Sequence, residues 1–248
     1  MPQMKLKSNW PMFVVVLIIL WVGRVGVSEA RQSDFPYLQS GDHPPQKSTR
    51  GVLVLAHGGD EYWNDQVLKL VASLENRYLM DVAFGMADKQ NMQEAIGRLV
   101  QRGAKEIVAV SLFVSSYGSV HYANEYLLGM RPTPPADYAL LLQHHHGQSP
   151  APSGTPADHA SHHHHTELPR PIALPVPVKL TPALDDDPLV ADILLDRARA
   201  ISRQPTEEAV IMVAHGPVSD EDNEKWLTNM RRLASLVQQK SAFNDIDV

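Results

Sequence analysis

Three side chains in this sequence have the types and spacing to do metal chemistry. His57 closes the run Gly51-Val-Leu-Val-Leu-Ala-His57-Gly58-Gly59, and His121 follows the loop Ser115-Ser-Tyr-Gly-Ser119. Glu125 stands four residues beyond His121, which on a helix puts it on the same face. An imidazole can ligate a divalent ion through a neutral nitrogen or move a proton near neutral pH. Two imidazoles and a carboxylate suit Co²⁺, Fe²⁺, Ni²⁺ or Zn²⁺ and leave coordination positions open. A structural zinc site would want four closed ligands. A lone histidine after a strand is more often a loop residue bonded to backbone, so the argument rests on the pair.

The pair can meet only if the surrounding elements bring it together. Five apolar residues before His57 read as a strand buried on both faces, followed by a glycine turn and an amphipathic helix from about Glu61 to Tyr78. A second strand is expected over Asp81 to Met86, and a helix over about Asn91 to Arg102, stopped by Gly103. A third strand spans Glu106 to Val114, and a helix starts near His121. Such alternation implies a doubly wound parallel sheet with right-handed crossovers. In that topology strands one and three flank the switch point, and ligands bind beyond their carboxyl ends. His57 and His121 follow those two strands.

The pattern breaks between Arg131 and Pro171, a stretch rich in Pro, Gly, Ser and His. It holds His144, His145, His146, His159, His162, His163, His164 and His165, and reads as a flexible insertion, with Tyr138 to Leu142 a candidate strand. The tract is either a metal-gathering arm or a tolerated low-complexity loop; composition does not separate the two. Ile172 to Leu180, with its prolines, suits an edge strand or extended segment. A helix from about Pro188 to Ser202 follows. Then Val210-Ile-Met-Val-Ala-His215-Gly216 repeats the opening motif, which suggests a duplicated domain whose second copy is incomplete. Either the chain is a fragment or this last strand joins the first sheet. One further helix, about Asp222 to Gln239, is expected after it.

Lys5 and Lys7 precede an apolar run from Met12 to Gly23, and Ser28-Glu29-Ala30 offers small residues for cleavage. That is the layout of a secretory signal peptide, and the run is short of the about 20 residues of a membrane span. The expectation is a periplasmic or secreted protein with no stable span after cleavage, an uncleaved anchor being the alternative. Arg31 to Arg50 reads as a linker. A net charge of −6 without a basic block argues against nucleic-acid binding. The absence of cysteine removes thiolate sites, disulfides and thiol catalysis.

The residues Leu55-Ala-His57-Gly-Gly59, then Ser111-Leu-Phe113 leading to His121 and Glu125, resemble the sirohydrochlorin chelatases of the CbiX/SirB type, the class II ATP-independent enzymes. Gly59 and Ser111 depart from the Ser and Pro common there. The resemblance covers about Gly51 to Ser202 and recurs weakly over Val210 to Gln239. It implies a chelatase-like, flavodoxin-like α/β fold and insertion of Co²⁺ or Fe²⁺ into a tetrapyrrole, with Ni²⁺ or Zn²⁺ as other candidates. By position His57 and His121 would bind the metal and accept pyrrole protons, with Glu125 as the nearby acid. Gly58, Gly59, Tyr117 and Gly118 would line the tetrapyrrole side, and the histidine tract would be accessory. No nucleotide is implied, and no P-loop is present.

The resulting organisation is a leader over 1–30, a linker over 31–50, a chelatase-like domain over 51–205 with its insertion at 131–171, and a truncated second repeat over 206–248. Homodimerisation is left open. The competing function is a non-catalytic periplasmic metal- or tetrapyrrole-binding protein of the same fold. A third reading is a flavodoxin-like protein holding an anion on the N–H groups of Gly58 and Gly59. Tyr117, Tyr122 and Tyr126 are candidates to line a cleft, though aromatic residues at a helix start more often pack locally.

Overall fold

A computed structural model of the protein describes residues 12–17, 49–146 and 168–248, with side chains described for all of these except 12–17 and 143–146. In chain order the elements are β1 (Met12–Leu17), β2 (Arg50–Ala56), α1 (Glu61–Leu74), β3 (Leu79–Phe84), α2 (Lys89–Gln101), β4 (Glu106–Leu112), α3 (Ser119–Leu127), α4 (Tyr138–His146), β5 (Val178–Leu180), α5 (Pro188–Ile201), β6 (Glu208–Val213), α6 (Asp220–Lys240) and β7 (Asp245–Asp247). They fall into two compact units, one of residues 24–183 and one of residues 1–23 with 184–248.

The unit of residues 24–183 carries a parallel sheet in the order β3-β2-β4-β5. The first strand after the linker is central, with the second on one side and the third on the other, so the sheet is doubly wound as the alternation implied. The unbroken apolar run of β2 has a simple cause. Its side chains alternate between two cores, Leu53 and Leu55 on one face and Val54 and Ala56 on the other. Helix α1 covers the second face with Val67, Leu68 and Val71, while α2 covers the first with Met92, Ala95, Ile96 and Leu99. Each such fully buried aliphatic chain contributes about 1.5–3 kcal/mol.

The helices begin on side-chain caps. Asp60 accepts from the Trp63 N–H, and Asp88 accepts from the Asn91 N–H. Gly103 at φ +99° follows α2, the left-handed residue that stops it. Inside β3, Asp81 is fully buried and accepts from both Nε and Nη2 of Arg98 at 2.9 and 2.8 Å. Burial still raises its pKa above the ordinary value, outweighing the pull of Arg98.

Two expectations need correction. Tyr138 to Leu142 is helix, part of α4, and not a strand. Part of the presumed insertion is also core: Tyr138 is fully buried, Ile172 joins the same cluster, and Leu141, Leu142 and Leu168 pack against it. The Tyr138 hydroxyl donates to the Ala87 carbonyl at 3.3 Å, and burial first, then Asp88, pushes its pKa up to about 12. His159, His162, His163, His164 and His165 lie outside the described residues. His144, His145 and His146 end α4, in the part whose side chains are not described.

The other unit has its own parallel sheet, in the order β1-β6-β7. The repeated motif therefore does not join the first sheet: β6 pairs with β1 from Met12↔Glu208 to Leu17↔Val213, and with β7 on its other side. Helix α5, expected with the first domain, groups here instead. Its Ala191, Leu194, Leu195 and Ala198 share a core with Leu233, Ala234 and Val237 of α6 and Met212 of β6. Met12–Leu17, the start of the apolar run read as a leader, is the strand β1, so removal of residues 1–30 would take β1 with it. Among the described residues no helix is long and apolar enough to cross a membrane.

Candidate metal-transfer site

The parallel register fixes where the two histidines lie. Ala56 of β2 is paired with Leu112 of β4, so the chain segments leaving those residues emerge side by side at the carboxyl edge of the sheet. His57 is the next residue after Ala56. His121 arrives by way of the Ser115–Ser119 loop and the first turns of α3, whose start at Gly118 is extended backbone.

His57 is exposed, and its Nδ1 lies 2.8 Å from the Gly58 carbonyl oxygen. A carbonyl only accepts, so Nδ1 carries the hydrogen and donates it. In the neutral ring the lone pair is then on Nε2. That is the form in which a histidine ligates metal through Nε2, with the other nitrogen steadied by backbone.

The turn around His57 is held from behind. Gly58 sits at φ +81°, a conformation that favours glycine. Gly59 donates its N–H to Oδ1 of Asn64 at 2.9 Å and accepts from Nδ2 of Asn64 at 3.1 Å. This reciprocal pair orients the amide without ambiguity, and Asn64 is buried in α1. The sequence reading did not single out Asn64. Its one signal was a poor helix former inside an otherwise regular amphipathic pattern.

His121 has a different setting, being 5% exposed. Its Nδ1 lies 3.3 Å from the buried Ser111 hydroxyl of β4, and its Nε2 lies 3.8 Å from Oε1 of Glu125. The other oxygen of Glu125 lies 3.7 Å from Nη1 of Arg131, whose guanidinium stands over the Tyr122 ring at 4.4 Å. Ser111 is itself placed by Thr181 beyond β5, which accepts its backbone N–H at 3.2 Å. The gap between Nε2 and the carboxylate is too wide for a hydrogen bond.

The structure thus brings His57 and His121 to one sheet edge and puts Glu125 beside His121. It does not gather the three into a cluster: among the described residues no group of three or more His, Asp or Glu is placed to hold a metal ion. Gly58, Gly59, Tyr117 and Gly118 all lie in the loops at this edge, half-buried. The Tyr117 N–H donates to the Ser115 hydroxyl at 2.9 Å. Tyr122 is engaged by Arg131, and Tyr126 packs edge-on to Tyr138 with centroids 6.2 Å apart. His215 follows β6 in the other unit and is likewise exposed beside a glycine. The hollows of about 340 Å³ along α6 and β7 and about 450 Å³ at the start of α2 are lined by none of these residues.

A comparison with curated proteins finds no match. The CbiX family model matches residues 51–201, from β2 through α5, which is more than half of the chain. The matched stretch contains the doubly wound sheet with His57, His121 and Glu125 at its carboxyl edge. On that match the chain belongs to the CbiX family, the sirohydrochlorin chelatases, whose general activity is metal chelation by a tetrapyrrole.

Proposed function

We propose that this protein inserts Co²⁺ or Fe²⁺ into a sirohydrochlorin-like tetrapyrrole without ATP, with His57 and His121 carrying the metal and taking the macrocycle's protons. The observation that carries this reading is the exposed His57, its Nδ1 held by the Gly58 carbonyl, on the same sheet edge as the buried His121 beside Glu125.

The chemistry asks for two things. The aqueous ion must lose water, and two pyrrole N–H protons must leave the macrocycle as the metal enters. An imidazole does both in sequence: its nitrogen replaces a water on the ion and, once the ion has moved on, accepts a proton at the same lone pair. His57, exposed and pre-set by Gly58, is suited to capture. His121, buried beside a carboxylate, is suited to hold the ion in a drier setting, where Glu125 offsets its charge. Two protons leave and two imidazoles receive them, to be passed to solvent from His57 and toward Glu125 from His121.

The leader pattern at Lys5 to Ala30 supports export to the periplasm or beyond, and the histidine tract is proposed as an accessory metal-gathering arm. The deciding experiment follows metal insertion into sirohydrochlorin by absorbance, anaerobically, with Co²⁺ and Fe²⁺. Multiple turnovers are expected. They should vanish in the His57→Ala, His121→Ala double variant and survive deletion of Gln143 to Thr166. Metal binding without turnover in the unaltered protein would overturn the enzyme reading in favour of a metal carrier.

A further inference from the structure

Against the Gly59 backbone, two residues past His57, stands an aromatic ring with no part in the chemistry described so far. Trp63 is the third residue of α1, and its N–H is fixed by the Asp60 cap at 2.8 Å. Its indole meets the Phe84 ring edge-on, with centroids 6.3 Å apart and planes at 66°. Phe84 is the buried last residue of β3, paired in register with Ala56. One side of the indole is therefore anchored at the carboxyl edge of the sheet, yet 37% of Trp63 stays exposed.

Gly59 is what lets the ring lie there. A Cβ on Gly59 would stand 3.3 Å from Cβ, 3.4 Å from Cγ and 3.6 Å from Cδ2 of Trp63. The first two approaches are tighter than ordinary packing, so the bare backbone two residues past His57 lies directly against the root of the indole. In the other unit the His215 and Trp226 rings lie 6.4 Å apart with planes tilted by 32°. Trp63 is held along one edge and leaves surface open at the sheet edge from which His57 emerges.

We propose that Trp63 is a stacking wall for the flat conjugated face of the macrocycle, and that it selects planar over puckered rings at this site. The proposal deepens the chelatase reading and rests on it. An indole offers the largest π surface of any side chain, and offset stacking on it adds to simple apolar burial. A planar tetrapyrrole laid against Trp63 presents its central nitrogens toward the neighbouring His57 loop, and its charged periphery stays in water. A reduced macrocycle bent out of plane touches the same wall over less area.

The test uses the full-length protein, no metal, and uroporphyrin as the planar probe, with binding read from the shift of its main absorption band. Trp63→Leu is expected to raise the uroporphyrin Kd about tenfold and Trp63→Phe to recover most of the loss. Gly59→Ala, which displaces the indole without removing it, should weaken binding in the same direction. The preference for uroporphyrin over its puckered reduced form, uroporphyrinogen, should shrink in Trp63→Leu. Equal affinities in Trp63→Leu and the unaltered protein would overturn the stacking wall and leave the chelatase reading standing. Failure of the unaltered protein to bind uroporphyrin at all would also overturn the stacking wall, while turnover with sirohydrochlorin decides the chelatase reading separately.

Discussion

At the scale of single residues, the candidate site is two histidines whose Nδ1 atoms are handled differently. His57 gives Nδ1–H to its own neighbour's carbonyl, an arrangement written entirely in local sequence, and so the Ala-His-Gly motif was enough to single it out. His121 was singled out by its position, but its support was not legible. Ser111 reaches it from ten residues upstream because β4 and α3 cross at that point, and Thr181 reaches Ser111 from seventy residues downstream. No periodicity records such contacts. Removing a group that orients a metal-binding imidazole typically costs tenfold or more in affinity or activity. Ser111→Ala is therefore expected to lower the rate of Co²⁺ insertion about tenfold at subsaturating metal, with the uroporphyrin Kd unchanged. Steady-state rates over a Co²⁺ series check this.

At the scale of elements, the sequence was most informative where both faces of an element are buried and least where the signal is short or polar. The run in β2 and the amphipathic faces of α1 and α2 each fill a core, so their patterns are strong. Strand β7 is Asp-Ile-Asp, with one apolar residue and nothing to alternate. Helix α4 is hidden by the prolines before it and the histidines at its end, and only its buried Tyr138 and half-buried leucines tie it to the core. The loop between β2 and α1 is the element the site depends on, and its brace is testable. Asn64→Ala strands two backbone groups of Gly59, and a buried polar group left unpaired costs about 1–3 kcal/mol. The expected loss of stability lies in that range, read from the urea midpoint, together with slower metal insertion. Gly58→Ala has room, its nearest neighbour being Phe84 Cβ at 3.6 Å. The left-handed backbone there should still cost about 1–2 kcal/mol.

At the scale of the whole molecule, the two units answer pH differently. Glu208, with no exposed surface, accepts from the Ser202 hydroxyl at 2.5 Å and from the backbone N–H groups of Gln204 and Arg203 at 3.0 Å. The Ser202 hydroxyl first, then these N–H groups, hold its pKa below the ordinary glutamate value. The folded carboxylate thus binds fewer protons than the unfolded one in that range. Stability from this group is present above the ordinary glutamate pKa and is lost as pH falls through the folded one. Glu208→Gln should flatten the acid limb of the melting curve of the unit that holds β6, below about pH 5. Asp81 in the other unit works in the opposite sense. Its raised pKa means that stability falls as pH rises from the ordinary aspartate value to the folded one. The recurrence of Ala-His-Gly after β6 was legible in the sequence. The grouping of α5 with β6 and α6 was not, because it is set by the shared core of Ala191, Leu194, Leu195 and Ala198 with α6 and not by spacing within α5.

All strands of the larger sheet run the same way, so its two edges are different places. At one edge lie the turns that carry His57, Trp63 and the loop to His121. At the other, Gly51 lies against Ala104, Ile107 and Leu99, where a Cβ would come within 3.2–3.4 Å. Random variation therefore acts differently at the two edges, on stability at one and on both stability and the candidate site at the other. Changes at the Gly51 edge alter how much mutational damage the protein tolerates before it unfolds, and, on the proposed function, changes at the histidine edge also alter which metal and ring it accepts. A selection for new substrates would do well to begin from variants already stabilised at the first edge.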